Sequence, residues 1–319
     1  MKNKIIVGVV ALLVVTGVII ANIFISKQQP AKITLTAAYE YAQVSAVIDV
    51  IKEQNLFEKY MPSNVNIEWV SIGSGSDRRD ALATERVAVA VLENTKVVPS
   101  IENDYPIMIL ANGSKSMSAL YSADPNIKSP TDLAGKRIAY QGTKNIILKS
   151  DLGRNYRVDI SDDQLLSVGE ADLISLLVQG QVDAAILTNV MAEKAVALNS
   201  NVKMFHDLTP ETEYIGVANW LVGSAKFFDE HPELLQPVMS AYQAAIDTIN
   251  EDPKGISDLL APLFNIDASQ IEKEFRTFPP GVEIYSYDEM AKILLENGDL
   301  DKPAKPFNQL PNYESIPKK

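Results

Sequence analysis

The chain of 319 residues contains no cysteine. That absence excludes disulfides, thiolate nucleophiles, cysteine zinc sites and a lipid-modified N-terminal cysteine. It does not argue against life outside the cytoplasm, because a chain of this length buries a core that needs no covalent staples. Histidine is almost missing: only His206 and His231 occur, and His231 precedes Pro232 at what reads as a helix junction. No Ser-His-Asp arrangement, metal-ligating cluster or Walker-type phosphate loop can be assembled. No catalytic residue, metal or cofactor is therefore expected. The acidic runs 159–163 and 211–213 lack the glycine and distal glutamate of a calcium loop and read as loops and caps. Positive charge is also in deficit. The net charge is −12, and −15 without Lys2, Lys4 and Lys27. An acidic body of this kind argues against nucleic acid and against adhesion to anionic lipid through a basic face, and it favours solubility.

One long apolar run is present. Residues 5–25 are apolar except for Thr16 and Asn22, long enough to span a hydrocarbon core of about 30 Å. Lys2 and Lys4 precede the run, which favours an N-terminus inside the cell and the body outside. Its length and the lack of a small-x-small exit predict an uncleaved signal anchor rather than a cleaved signal peptide.

After a polar linker the pattern alternates between strands and helices. Residues 33–36 read as a strand and 37–43 as a loop carrying Tyr39, Glu40 and Tyr41. Val44, Val47, Ile48 and Ile51 then mark one face of a helix. Strands at 66–72, 87–92, 106–111 and 118–121 alternate with a helix at 77–85, which indicates an α/β fold with sheets buried on both faces. An internal repeat sets residues 67–94 against 163–189 with a one-residue gap. From Leu82 onward the offset is 95, pairing Val87 with Val182 and Asn94 with Asn189. The repeat predicts two similar lobes whose strand ends face each other. The chain returns near 214–223 into helices opened by Ser224, Pro232 and Asp252-Pro253. Further helices are expected at 266–275 and 287–295, followed by an irregular tail from Lys302.

At residues 129–144, SPTDLAGKRIAYQGTK, Thr131 is the expected cap of a short turn stopped by Gly135. A strand to Tyr140, a turn at Gly142-Thr143 and a helix from Asn145 follow. This phrase, with LVQGQVDAAIL at 177–187 and the return helices at 224–246, resembles the SsuA/THI5-like (NMT1-like) family of solute-binding proteins. The first repeat copy, ATERVAVAVL, has Glu85 and Ala88 where these proteins usually carry glycine and aspartate. The resemblance implies a two-lobed periplasmic-binding-protein-like type II fold with a hinged interlobe cleft, preceded here by the N-terminal transmembrane helix. Residues 1–31 would form the anchor and linker, 32–117 plus 223–319 lobe 1, and 118–222 lobe 2. The resemblance also implies the extracytoplasmic component of an ABC importer, which captures a small organic solute and delivers it to a permease and its ATPase. The alternatives are a membrane-anchored sensing or interaction ectodomain of the same fold, and an enzyme such as a pyrimidine synthase.

Loops after strand ends would line the cleft. The candidate ligand-binding residues are Tyr39 and Tyr41, Ser74 and Ser76, Glu93 and Asn94, Thr143 with its neighbouring amides, and Asn189. Helix N-termini favour an anion such as a sulfonate, whereas Tyr39, Tyr41 and Glu93 favour a flat nitrogenous ring. Arg78 and Arg79 open a helix where the dipole disfavours them and read as a solvated face, with one of them a lesser anion candidate. Trp220 and Asn219 read as hinge packing.

Overall fold

A computed structural model describes residues 32–40, 45–113, 118–142, 144–210, 219–277 and 287–310. The expected anchor, Tyr41, Thr143 and the run 211–213 lie outside the described residues. Among the described residues, no helix is long and apolar enough to cross a membrane. Contacts separate a small unit, with described residues 32–34 and 62–66, from a large unit holding the rest. In the small unit the Ile33 N–H donates to the Asn64 carbonyl at 3.1 Å.

Strands β1 (Ile33–Tyr39), β2 (Val65–Ser71), β3 (Val89–Glu93) and β4 (Ile107–Asn112) build the first sheet with β10 (Asn219–Ser224), in the order β2-β1-β3-β10-β4. Strands β5 (Ala119–Ser122), β6 (Ile138–Tyr140), β7 (Leu165–Ser167), β8 (Ala184–Leu187) and β9 (Lys203–Asp207) build the second, in the order β7-β6-β8-β5-β9. Each sheet has one antiparallel strand in the same place, β10 in the first and β5 in the second. Asn219–Val222, assigned by the sequence division to lobe 2, run in the first sheet. β1 also continues to Tyr39, where a loop was expected. Its Ala37 and Ala38 are buried, and such small side chains carry little strand signal in the sequence.

The helices follow the chemistry of their starts. α1 (Ala46–Glu53) buries Ala46–Ile51, and α2 (Leu56–Tyr60), not foreseen, puts Phe57 in the core. α3 (Gly75–Ala83) is capped by Ser74, whose hydroxyl accepts from the Asp77 N–H at 3.3 Å. α4 (Asn94–Glu102) follows β3 without a loop. In the second sheet Ser129, not Thr131, caps the turn at Pro130–Leu133, because Asp132 reaches back to the Ser129 N–H and completes a capping box. α5 (Lys144–Asp151), α6 (Glu170–Val178) and α7 (Asn189–Leu198) follow β6, β7 and β8.

The returning chain forms α8 (Ala225–Glu230), α9 (Leu235–Glu251), α10 (Pro253–Phe264), α11 (Ala268–Thr277) and α12 (Tyr287–Glu296). α9 lays its stripe of Val238, Tyr242, Ala245 and Ile249 on α1 and α2. α12 packs on both α4 and α5 through Tyr287, Met290, Ala291 and Leu294. One apolar core therefore runs from Leu92 and Trp220 of the first sheet, through Met290 and Leu294, to Ile138 and Ile146 of the second. Each such side chain, fully buried, contributes about 1.5–3 kcal/mol. Beyond α12, the Lys305 N–H donates to Glu102 at 3.0 Å and the Phe307 N–H to Asp288 at 2.8 Å, so this part of the tail is fastened.

Candidate functional site

Strand direction decides where the two sheets meet. β10 is antiparallel to both β3 and β4, so β3 and β4 end at the same edge of the first sheet. β5 is antiparallel to β8, and β8 is parallel to β6, so β5 begins where β6 and β8 end. The crossing from Asn112 at the end of β4 to Ala119 at the start of β5 thus joins one carboxyl-end edge to the other. Seven peptide steps reach at most about 25 Å. The return from β9 to β10 joins the same two edges. On each edge the strands lead into helix starts, and helix starts present unpaired backbone N–H groups.

The repeat holds in three dimensions. Ala37 pairs with Val89 across β1 and β3, and Ile138 with Ala184, the offset partner of Val89, across β6 and β8. Asn94 and Asn189 are both the first residues of their helices, α4 and α7.

The first half of this edge is held by its own charges. Arg78 is 5% exposed. Its guanidinium pairs with Glu40, just past β1, and donates to the carbonyls of Ile72 at 2.8 Å and Gly73 at 3.3 Å. The solvated-face reading of Arg78 is thereby overturned. In the structure α3 and α6 begin and end 95 positions apart, so the counterpart of Arg78 is Leu173, fully buried; the position faces the core and the cation brings its own counter-ion. Burial lowers the Arg78 pKa from its ordinary value, and the Glu93 carboxylate opposes that shift. Arg79 is the more open of the two, bonded to Asp80 at 2.8 Å with its guanidinium 4.7 Å over the Tyr105 ring. Glu93 caps α4 in position only and lies 3.2 Å from Lys96 Nζ. A Cβ on Gly75 would come within 2.6 Å of the Glu93 carboxylate, so glycine there lets α3 start beside it.

The remaining sequence candidates are distributed around these groups. Tyr39 is half-buried, edge-on to Trp69 at 6.4 Å, with Lys52 Nζ 4.6 Å from its ring centre. Ser74 and Ser76 are exposed in the first turn of α3, and Asn94 is fully buried. Asn189 is half-buried and helps line a cavity of about 400 Å³ with Tyr121, Glu193 and Lys273. Trp220 is buried, stacked on Tyr287 at 5.8 Å. Tyr39, Ser74, Ser76, Glu93 and Asn94 thus share the first edge, and Asn189 belongs to the second.

The second half contains groups that sequence reasoning passed over. Gly142 turns the chain after β6 with φ +66°, and Lys144 opens α5. Lys144 Nζ donates to the hydroxyl of Ser118 at 2.8 Å, and Ser118 is 2% exposed, one residue before β5. Burial lowers Lys144 to about 8 and raises Glu274, on α11, to about 7, each shift opposed by the other's charge. Thr188 caps α7 through the Met191 N–H at 3.5 Å. The signal available for Lys144 was the one applied to Arg78 and Arg79: a cation at a helix start works against the dipole. His206 stands apart, with Nε2 2.6 Å from Asp151 and its ring edge-on to Tyr156.

Two sheets of matching order, joined edge to edge where their helices start, define the class of proteins with a periplasmic-binding-protein-like fold. Within that class the chain belongs to the NMT1/THI5-like family, whose model matches residues 59–256. No curated protein matches the chain. Among solved structures it is similar to the periplasmic aliphatic sulphonate binding protein SsuA from Escherichia coli. That match has 18% identity and a TM-score of 0.74, covering 90% of this chain and 100% of that one. The alkanesulfonate-binding protein SsuA from Xanthomonas axonopodis pv. citri, bound to MOPS, matches at 18% identity and TM-score 0.67, over 91% and 96%. A Candida albicans protein with the generic periplasmic binding protein fold matches at 15% identity and TM-score 0.62, over 86% and 92%.

Proposed function

We propose that this chain is the extracytoplasmic solute-binding component of an ABC importer. In this reading, residues 5–25 tether it to the membrane. It captures a small organic solute between the two carboxyl-end edges and passes it to a permease and its ATPase. The observation that carries the reading is the pair of edges, each bearing helix starts, joined by a crossing of at most about 25 Å. A solute touching both edges favours their closed arrangement through its differential affinity for it. Ser74, Ser76, Glu93 and Asn94 would serve from the first edge, Thr143 and Asn189 from the second, and Tyr39 and Tyr41 from the end of β1.

Of the two ligand chemistries, the anion is favoured over the flat ring. Tyr39 is engaged with Trp69 and Lys52, and Glu93 with Lys96, so the two described groups suited to a ring already have protein partners. A thermal-shift screen of the full chain against alkanesulfonates, carboxylates, pyrimidines and amino acids tests the function. Ligand at a hundredfold its dissociation constant adds about 2.7 kcal/mol of stability. A shift confined to one chemical class is the expected result. A folded chain, free of co-purified solute, that responds to nothing contradicts the importer reading and points to a sensing ectodomain.

A further inference from the structure

We propose that Lys144 receives the acidic head group of the solute, and that Glu274 is its resident counter-ion, displaced from that role when the solute binds. The inference rests on the solute-binding reading. Its ground is a cluster drawn from three separated elements. Lys144 opens α5 at the carboxyl end of β6, Ser118 lies on the crossing between the sheets, and Glu274 comes from α11.

α11 packs on α10 and α9, and α9 in turn lies on α1 and α2 beside the first sheet. From there it reaches the second half twice. The Gln270 amide bonds the Glu193 carboxylate of α7, and one turn along the same helix Glu274 meets the field of Lys144. Glu274 is 8% exposed, while Ile271 and Phe275 beside it are buried in the helix packing. Among the described residues, Lys144 is the one charged group that acts appreciably on Glu274, and Glu274 the one that acts on Lys144.

As a structural device the pair is poor. Desolvation of two charges offsets most of their attraction, and apolar replacements are often as stable. As a site it is well formed. The ammonium is held by one hydroxyl, its counter-ion belongs to a helix that approaches from the other half, and a small acid could take that counter-ion's place. Arrival of the acid leaves Glu274 beside a second negative group. It then takes a proton from solvent, so binding near neutral pH consumes protons. A sulfonate, a carboxylate or a phosphonate shares the required chemistry.

Calorimetric titration of the full chain in detergent tests this with butane-1-sulfonate, pentanoate, butylphosphonate, the uncharged butyl methyl sulfone and cytosine. The expected result is that at least one acid binds and the sulfone does not. Lys144→Met should weaken that acid at least about tenfold, the scale of a lost charged hydrogen bond. Glu274→Gln should tighten it, because the competing carboxylate is gone, and the protons taken up by that variant then go to Lys144 alone. Should Lys144→Met fail to fold, the Glu274→Gln result alone decides. An acid that binds wild type and Lys144→Met equally, or that Glu274→Gln fails to tighten, overturns the inference and leaves the solute-binding reading intact. So does cytosine binding alone. Absence of binding by every probe overturns this inference, and if the wider screen is also silent the functional reading falls with it.

Discussion

At the repeat offset of 95, Arg78 in the first half stands where the second has Leu173, Glu85 where it has Gly180, and Ala88 where it has Asp183. Each pair occupies the same structural position, and the second half holds the residue that suits it physically. Gly180 turns after α6 with φ +67°, while Glu85 makes the same turn after α3 at +59°, in a region that side chains with a Cβ disfavour. Asp183 accepts from the Arg137 N–H at 2.8 Å and lies 3.5 Å from Lys136 Nζ, fastening the start of β6. Ala88 has no side chain for such a bond. Leu173 packs in an apolar core, whereas Arg78 is charged in the same position and depends on Glu40. The comparison teaches that one topology can commit its charge in two ways. The first half uses it to hold its own loops. The second leaves Lys144 to be balanced from another element.

The largest effect that would sharpen this comparison comes from Arg78→Met. It leaves Glu40 with its buried partner gone and should cost about 3–5 kcal/mol in urea unfolding. Pairing it with Glu40→Gln should restore a good part of that. Full recovery is not expected, since the bonds to Ile72 and Gly73 are also lost. A loss near zero for the single variant would mean that the first half is not held by this pair. Next, exchange of the turn residues should move stability in opposite directions. Gly180→Ala should lose, and Glu85→Gly should gain, about 1 kcal/mol, with the gain reduced by whatever the 3.5 Å ion pair of Glu85 with Lys226 contributes. Equal signs for the two would break the repeat as a physical equivalence. Thr188→Ala removes the cap of α7 and should cost about 1 kcal/mol, as should Ser74→Ala at α3.

The remaining effect is a dip in stability with pH. Glu274 holds its proton in the fold up to about 7 after the unfolded chain has lost it near 4.5, so its contribution falls as pH rises through that interval. Lys144 lets go of its proton near 8 in the fold but near 10.5 when unfolded, so its penalty eases only as pH rises through that second interval. The two meet between about 7 and 8. Unfolding across this range should show a minimum there in wild type and none in the double variant Lys144→Met with Glu274→Gln.

Much of the architecture was legible because its signals are local. Val89–Leu92 is an uninterrupted apolar run, Ser224 and Asp252-Pro253 announce helices, and the stripe Val238, Tyr242, Ile246 has helical spacing. The repeat was legible too, down to the pairing of Asn94 with Asn189, though not the helices that those residues open. What escaped was set by distant partners. Arg78 at a helix start looks solvated until Glu40 is brought across the sheet to it. Lys144 and Glu274 are 130 positions apart, and neither carries a pattern that names the other. Tyr39 was placed in a loop because two alanines before it gave no alternation to read.

Hydrogen exchange on the full chain, with and without whichever solute the thermal screen returns, tests the central claim most directly. The account predicts protection of the amides opening α3 and α4 in the first half and α5 and α7 in the second, appearing together at one solute concentration. Protection confined to one half, or spread without regard to these four helix starts, would contradict a site shared by the two carboxyl-end edges.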